Sequence, residues 1–270
     1  MIIKNAINLT LLKKASKSFK NSDPFDHCIV EDFFLKDFSY LLEKEFPDYE
    51  DELWQEYSNE LEEKKLTNNW NHFKPLTYKI LRALNSEFFC KILSEITGIS
   101  PLYSDYGLNG GGWHIHKSGG KLNPHLDYSL HPKLGLQRKL NLIIYLNSSW
   151  KEKWGGELGF WTKSDSENGP GKLRKVIKPF FNTAIIFDTT QNSWHGILGK
   201  LNLPKGQYRK SLALYYLTDP PVGVDKRGKA LFAPTEEQKG DKNIEELIKK
   251  RSTISGASSV YKKVIGPNKK

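Results

Sequence analysis

From about residue 103 onward the chain becomes a succession of short alternating or β-rich runs, and this most narrows what it can fold into. The runs are "GGWHIHK", "KLNLIIYLN", "ELGFW", "RKVIKP", "TAIIFD", "HGILGK" and "KSLALYYLT". Turn formers separate them: Gly119-Gly120, Gly155-Gly156, Asn168-Gly169-Pro170-Gly171 and Pro204. Many short strands at such spacing argue for a sandwich or a barrel. The preceding segment differs. Residues 31 to 98 read mostly as helix, because "LKDFSYLLEKEF" and "YKILRALNSEFFCKILSEITG" place apolar residues at three- and four-residue intervals, with Gly98 as a stop. Between them "DELWQEYSNELEEKKLTNNWNHFKP" reads as a polar link. Beyond Pro220-Pro221 strand character stops, and "TEEQKGDKNIEELIKKRS" offers one capped helical segment. The expected organisation is a single domain over 1–270, with helical support in 1–100, a β core in 101–220 and a basic C-terminal extension in 221–270.

Composition removes several classes. The chain of 270 residues, 38% hydrophobic and 12% aromatic, can bury a full core and suits a folded protein. No apolar run approaches the roughly 18–20 residues that span a bilayer, so no membrane partner is expected. The opening "MIIKNAINLTLLKKASKSF" lacks a small-residue cleavage site, which argues against a cleaved signal peptide. Two cysteines, Cys28 and Cys90, without C-x-x-C exclude a thiolate zinc cluster and a disulfide framework. They fit a reducing compartment, and a cytoplasmic location is the expectation. The net charge of +10 raises nucleic acid or an acidic molecule as a partner. That charge is unevenly spread: residues 31 to 63 are acidic and the last forty are lysine-rich, so the tail reads first as a solubilising end, with nucleic acid left open.

Chemistry concentrates around "NPHLDY" (residues 123 to 128). In a strand, residues two apart share a face, so His125 and Asp127 project together into the interior. A second histidine from an opposing strand would complete a facial set with open positions suited to non-haem Fe(II), and His195 in "NSWHGI" is the candidate. Fourteen residues later Arg209 and Ser211, again two apart, open the apolar strand "RKSLALYYL". A cation at the start of an inward-facing strand needs an anion, which a dicarboxylate co-substrate supplies.

The order H-x-D, "RKLNLIIYLNSSWKEKWGGELGFW", "NTAIIFDTTQNSWHGI" and R-x-S resembles the 2-oxoglutarate- and Fe(II)-dependent oxygenases, and among them the prolyl-hydroxylase-like branch. The likeness covers roughly residues 103 to 218, and the helical lead-in more loosely. It implies a mainly β fold with flanking α: a double-stranded β-helix (jelly roll, cupin-like) supported by N-terminal helices. It implies His125, Asp127 and His195 as the catalytic iron ligands. Arg209 would bind the distal carboxylate of 2-oxoglutarate, with Ser211 as a second contact and Tyr145 of "IIYLN" hydrogen-bonding the same carboxylate. His116 or His114 would line that pocket. Fe(II), 2-oxoglutarate and O2 follow as cofactor and co-substrates, with ascorbate as a candidate auxiliary reductant. Asp127 favours hydroxylation over halogenation. "LGKLNLPKGQY", between His195 and Arg209, is expected to form a longer hairpin.

The leading substrate on this reading is a prolyl residue in a protein or peptide; free proline or another small metabolite is the alternative. Nucleic-acid demethylation is disfavoured, because Tyr215 stands where such enzymes carry a second arginine. A non-catalytic jelly-roll binding module would show no 2-oxoglutarate turnover. For other residues plainer roles are expected: His131 in a loop, His27 and His72 structural, Trp150 and Trp154 packed at a strand turn, and Asp188 a turn residue. For Tyr145, a core aromatic is weighed equally with a co-substrate contact.

Overall fold

Alternation along the strands sorts side chains to two sides of one large sheet, and this sorting positions the site. The computed structural model describes residues 5–165, 169–257 and 259–261. Among them the larger sheet runs β1 (His27–Val30), β11 (Ala184–Asp188), β8 (Gln137–Tyr145), β13 (Arg209–Thr218), β5 (Gly112–His116), β3 (Glu62–Thr67), β2 (Gln55–Ser58). Two short strands, β4 (Tyr103–Ser104) and β6 (Lys121–Leu122), pair with β13 and β3. The smaller sheet runs β10 (Pro170–Ile177), β9 (Leu158–Lys163), β12 (Trp194–Ile197), β7 (His125–Leu126), β14 (Leu231–Phe232). The architecture is the jelly roll expected from the sequence.

One side of the larger sheet is apolar. Leu140, Leu142 and Ile144 of β8, and Leu212, Leu214 and Tyr216 of β13, join one buried cluster. Helices α1 (Leu9–Ala15), α2 (Lys36–Lys44), α3 (Pro75–Leu84) and α4 (Glu87–Thr97) contribute Leu12, Leu42, Ile80, Leu84, Phe89 and Leu93 to it. Each such side chain stabilises the fold by roughly 2 kcal/mol when taken from water. The intervening residues Asn141, Ile143 and Tyr145, with Arg209, Ser211, Ala213 and Tyr215, face a cavity instead.

Several expectations change. The stretch 31–98 is not mostly helical, since its polar link contains β2 and β3, an antiparallel pair that extends the larger sheet through β5. Pairing and one-sided burial override the helix preference of its Glu and Lys residues. "YKILRALNSEFFCKILSEITG" forms two helices rather than one. The Asn85 amide turns back to Leu81 O at 2.9 Å, and the Ser86 side chain caps the second helix at Phe89 N. Gly98 ends that helix with φ 71°, as its position predicts. "LGKLNLPKGQY" is no hairpin, because β12 and β13 lie in different sheets and the segment crosses between them. Strand character also resumes after Pro221: β14 adds to the smaller sheet beside β7. Among the described residues no helix is long and apolar enough to cross a membrane.

Candidate active site

His125 and His195 are register partners across β7 and β12. Residues directly opposite one another in an antiparallel pair project from the same face, and here the ring centroids stand 4.2 Å apart. Gly196 permits this closeness, since a Cβ there would meet Leu122 O at 2.8 Å. Asp127 follows β7 and brings its carboxylate to the Nε2 edges of both rings, with Oδ1 3.9 Å from His125 Nε2 and Oδ2 3.9 Å from His195 Nε2. Ligand atoms from the three residues all lie within 4.8 Å of one another, and all three residues are buried.

The tautomers are fixed by backbone. Nδ1 of His125 lies 3.0 Å from Asn123 O, and Nδ1 of His195 lies 2.8 Å from Ser193 O. A carbonyl only accepts, so each Nδ1–H donates and each Nε2 keeps its lone pair toward Asp127. Burial pushes His125 down to about 3, with His195 adding to the fall and Asp127 opposing it. Burial likewise lowers His195 against the pull of Asp127. For Asp127 burial acts upward, but Arg138, His195 and His125 override it and hold the carboxyl at about 2. Two neutral imidazoles and one carboxylate form a donor set suited to Fe(II).

The sequence did not single out Arg138. Its Nη1 lies 3.1 Å from Asp127 Oδ1, its Nη2 donates to Asn109 O at 2.6 Å, and Asn141 donates to Asp127 Oδ2 at 3.2 Å. The guanidinium is sandwiched between the rings of Tyr128 and Tyr215, 3.4 and 3.3 Å from their centroids. Strict alternation from Asn141 and Tyr145 would send residue 138 to the helical side. The register with β13 shifts by one residue between Tyr216 and Leu217, so Lys139 is bulged out and Arg138 is returned to the cavity.

A second cluster occupies the same cavity. Arg209 pairs in register with His116, and Ser211 with Tyr145 and His114. Arg209 Nη2 donates to Tyr145 Oη at 3.0 Å and its Nε to Gly156 O at 2.9 Å. Among the described residues no carboxylate lies within ion-pairing distance of Arg209, although it is only 4% exposed. Both ring nitrogens of His116 are buried without a hydrogen-bond partner, and burial with the nearby Arg209 charge pushes its pKa well down. An unmatched guanidinium, a phenol and an unsatisfied imidazole fit a dicarboxylate such as 2-oxoglutarate, which would chelate a metal held by the first cluster. Ile143, Leu158 and Ile197 supply apolar walls, and the cavity measures about 350 Å³.

The outer end draws on parts of the chain the sequence left aside. Glu62 and Lys64 of β3 meet Arg251, at the end of α5 (Lys242–Arg251), and Tyr261. Arg251 Nε lies 3.2 Å from Glu62 Oε1, and the Tyr261 hydroxyl donates to the same oxygen. The C-terminal extension is therefore a wall of the cavity and not merely a solubilising end; residues 262–270 of that tail lie outside the described residues.

The plainer roles hold with one exception. His114 lines the cavity with Nε2 3.1 Å from Gly110 O, and His131 sits in a loop with Nδ1 accepting from Lys133 N and Leu134 N. Trp150 and Trp154 pack edge to face at 5.3 Å. Asp188, in contrast, is the last residue of β11 and not a simple turn residue: its Oδ1 accepts from Thr190 N at 2.8 Å and its Oδ2 pairs with Lys139 Nζ at 2.6 Å. His27 is buried beside Phe160, and His72 bonds Thr67 and Asn69. Both cysteines are free and buried.

Residues 111–217 match the model of the 2OG-Fe(II) oxygenase superfamily. No curated protein sequence matches this chain significantly. Among solved structures, a prolyl-4-hydroxylase from Pseudomonas putida aligns with a TM-score of 0.54 at 15% identity, covering 77% of this chain and 98% of that one. A Trichoplax adhaerens prolyl hydroxylase, in complex with a hypoxia inducible factor peptide fragment, aligns at 0.53 and 15%, covering 80% and 95%. Prolyl 4-hydroxylase from Phytophthora capsici aligns at 0.55 and 16%, covering 92% and 77%. At such identities these likenesses concern the fold.

Proposed function

We propose that this chain, with its 2OG-Fe(II) oxygenase match over residues 111–217 and its prolyl-hydroxylase-like fold, is an oxygenase that hydroxylates an unactivated C–H bond of a prolyl residue in a protein or peptide. The observation that carries the reaction class is that the His125–Asp127–His195 cluster and the Arg209–Tyr145 pair share one cavity. The prolyl substrate is supported by the fold shared with three prolyl hydroxylases.

When bound, Fe(II) and 2-oxoglutarate supply the oxidising power, because R–H, O2 and 2-oxoglutarate become R–OH, succinate and CO2. The protein positions the reactants and keeps bulk water away. His125 and His195 offer Nε2, already aimed by their Nδ1 bonds, and Asp127 completes the facial set with its charge retained by Arg138 and Asn141. This arrangement aims the ligands before metal arrives, as the partners behind metal-binding residues commonly do. Arg209 grips the distal carboxylate of 2-oxoglutarate, helped by the Tyr145 hydroxyl, with Ser211 and His116 beside them. The wall formed by Glu62, Arg251 and Tyr261 shields the open side. That wall favours a second reading, in which the substrate is free proline or another small metabolite.

The test is incubation of purified protein with Fe(II), ascorbate and 2-oxoglutarate, together with proline-containing peptides or free amino acids. A product heavier by one oxygen on a proline ring, formed with matching succinate, is expected. Products confined to other residues or other small molecules would overturn the prolyl assignment while keeping the reaction class.

A further inference from the structure

The outer end of the cavity holds positive charge that the protein itself does not match. Five cations line the cavity, Lys64, Arg138, Arg209, Lys229 and Arg251, against two carboxylates, Glu62 and Asp127. Arg138 is matched by Asp127 at 3.1 Å. Glu62 serves two cations at once, Lys64 Nζ at 3.0 Å and Arg251 Nε at 3.2 Å. Lys229 is half-buried, and among the described residues no carboxylate lies within ion-pairing distance of it. Burial and then the nearby Arg251 charge push its ammonium below the ordinary lysine value. Cations crowded into a partly desolvated space are costly without an anion. Fe(II) and the 2-oxoglutarate dianion cancel one another, so the excess at the outer end is left for whatever enters after them.

The geometry points to this outer end, where Lys229 and Arg251 meet Lys64, as the seat of a carboxylate carried by the substrate. This rests on the oxygenase reading above and adds a chemical class to it: a C–H substrate with an acid group distant from the reacting carbon. The aromatic residues Tyr57, Phe232 and Tyr261 frame the subsite and limit the room around that group. Lys229 is its specificity residue, because it is the cation with no internal partner to lose when the acid binds. The carboxylate can belong to a free amino or organic acid or to a peptide.

The test loads the full chain with Mn(II) and saturating 2-oxoglutarate and follows the proton relaxation of added probes. The probes are acetate, L-proline and N-acetylglycyl-proline, each compared with its primary amide. Paramagnetic relaxation of the 2-oxoglutarate methylene protons comes first; its absence sinks the oxygenase reading and this subsite with it. With that signal present, the acids are expected to relax faster than the amides. The preference should weaken about tenfold in Lys229→Gln, the scale of one charge-assisted hydrogen bond, and return in Lys229→Arg. Equal relaxation of acids and amides, or a preference untouched by Lys229→Gln, overturns the subsite and leaves the oxygenase reading standing. A stronger effect for L-proline assigns a free acid as the source, and a stronger effect for N-acetylglycyl-proline assigns a peptide terminus.

Discussion

The two ends of the cavity both rely on an arginine, buried at one end and half-buried at the other, and they treat it in opposite ways. At the deep end Arg209 is held by a phenol and a carbonyl, with no carboxylate near it among the described residues. At the outer end Arg251 is tied to Glu62, which is wholly buried and also holds Lys64 and accepts from Tyr261. The charge of the deep arginine is left unmatched by the fold. The outer one is committed to an anion that the fold supplies. The same residue type is thus left open in one place and tied into the architecture in the other, and the difference is visible only in the partners.

That contrast can be broken from the outer end first. Glu62→Gln removes the carboxylate from beneath two cations and should cost about 3 kcal/mol in denaturant unfolding, as for other buried pairs that lose one partner. Burial alone would raise the Glu62 pKa, but Lys64, Arg251 and Tyr261 bring it from 4.5 to about 2. A depressed carboxylate stabilises the fold fully above its unfolded value, and the stabilisation disappears as pH falls through the folded one. Acid titration should therefore show the parent losing stability between about pH 4.5 and 2, with a flatter profile in Glu62→Gln over that window. An unchanged profile would mean that Glu62 is not the carboxylate holding the C-terminal wall.

Arg209→Met should do the reverse. It leaves thermal unfolding of the protein without co-substrate unchanged or slightly improved, because an unmatched buried cation disappears. Apparent affinity for 2-oxoglutarate should fall about 100-fold, the worth of charge-assisted hydrogen bonds to a carboxylate, as read by titrating succinate formation. Arg138→Gln should weaken metal affinity roughly tenfold by loosening the carboxylate beside it, measured by competition with a chelating dye. Smallest of all, Lys229→Gln should move stability by less than about 0.5 kcal/mol, since no ion pair is lost.

Legibility in the sequence followed the same division. The deep end lies on strands whose alternation is regular, so Asn141, Ile143 and Tyr145, or Arg209 and Ser211, can be sorted by counting in twos. His125 and His195 face each other because they are register partners across β7 and β12. Arg138 escaped notice because one bulged residue reverses the parity of its strand. The outer end escaped because Glu62 and Arg251 are 189 residues apart and meet only through tertiary packing. The hairpin that carries Glu62 is rich in Glu and Lys, whose local preference points toward helix, and pairing with β5 decides otherwise. Charge composition made the C-terminal segment look like a solvated tail, although Phe232, Arg251 and Tyr261 close the cavity.

The measurement that bears most directly on the central claim is succinate formation from 2-oxoglutarate by the purified chain with and without Fe(II), beside the variants His125→Ala and Asp127→Ala. Turnover that needs Fe(II) and is lost in both variants is the predicted result. Succinate produced equally without the metal, or at parental rates by either variant, would contradict the assignment of His125, Asp127 and His195 as the iron site.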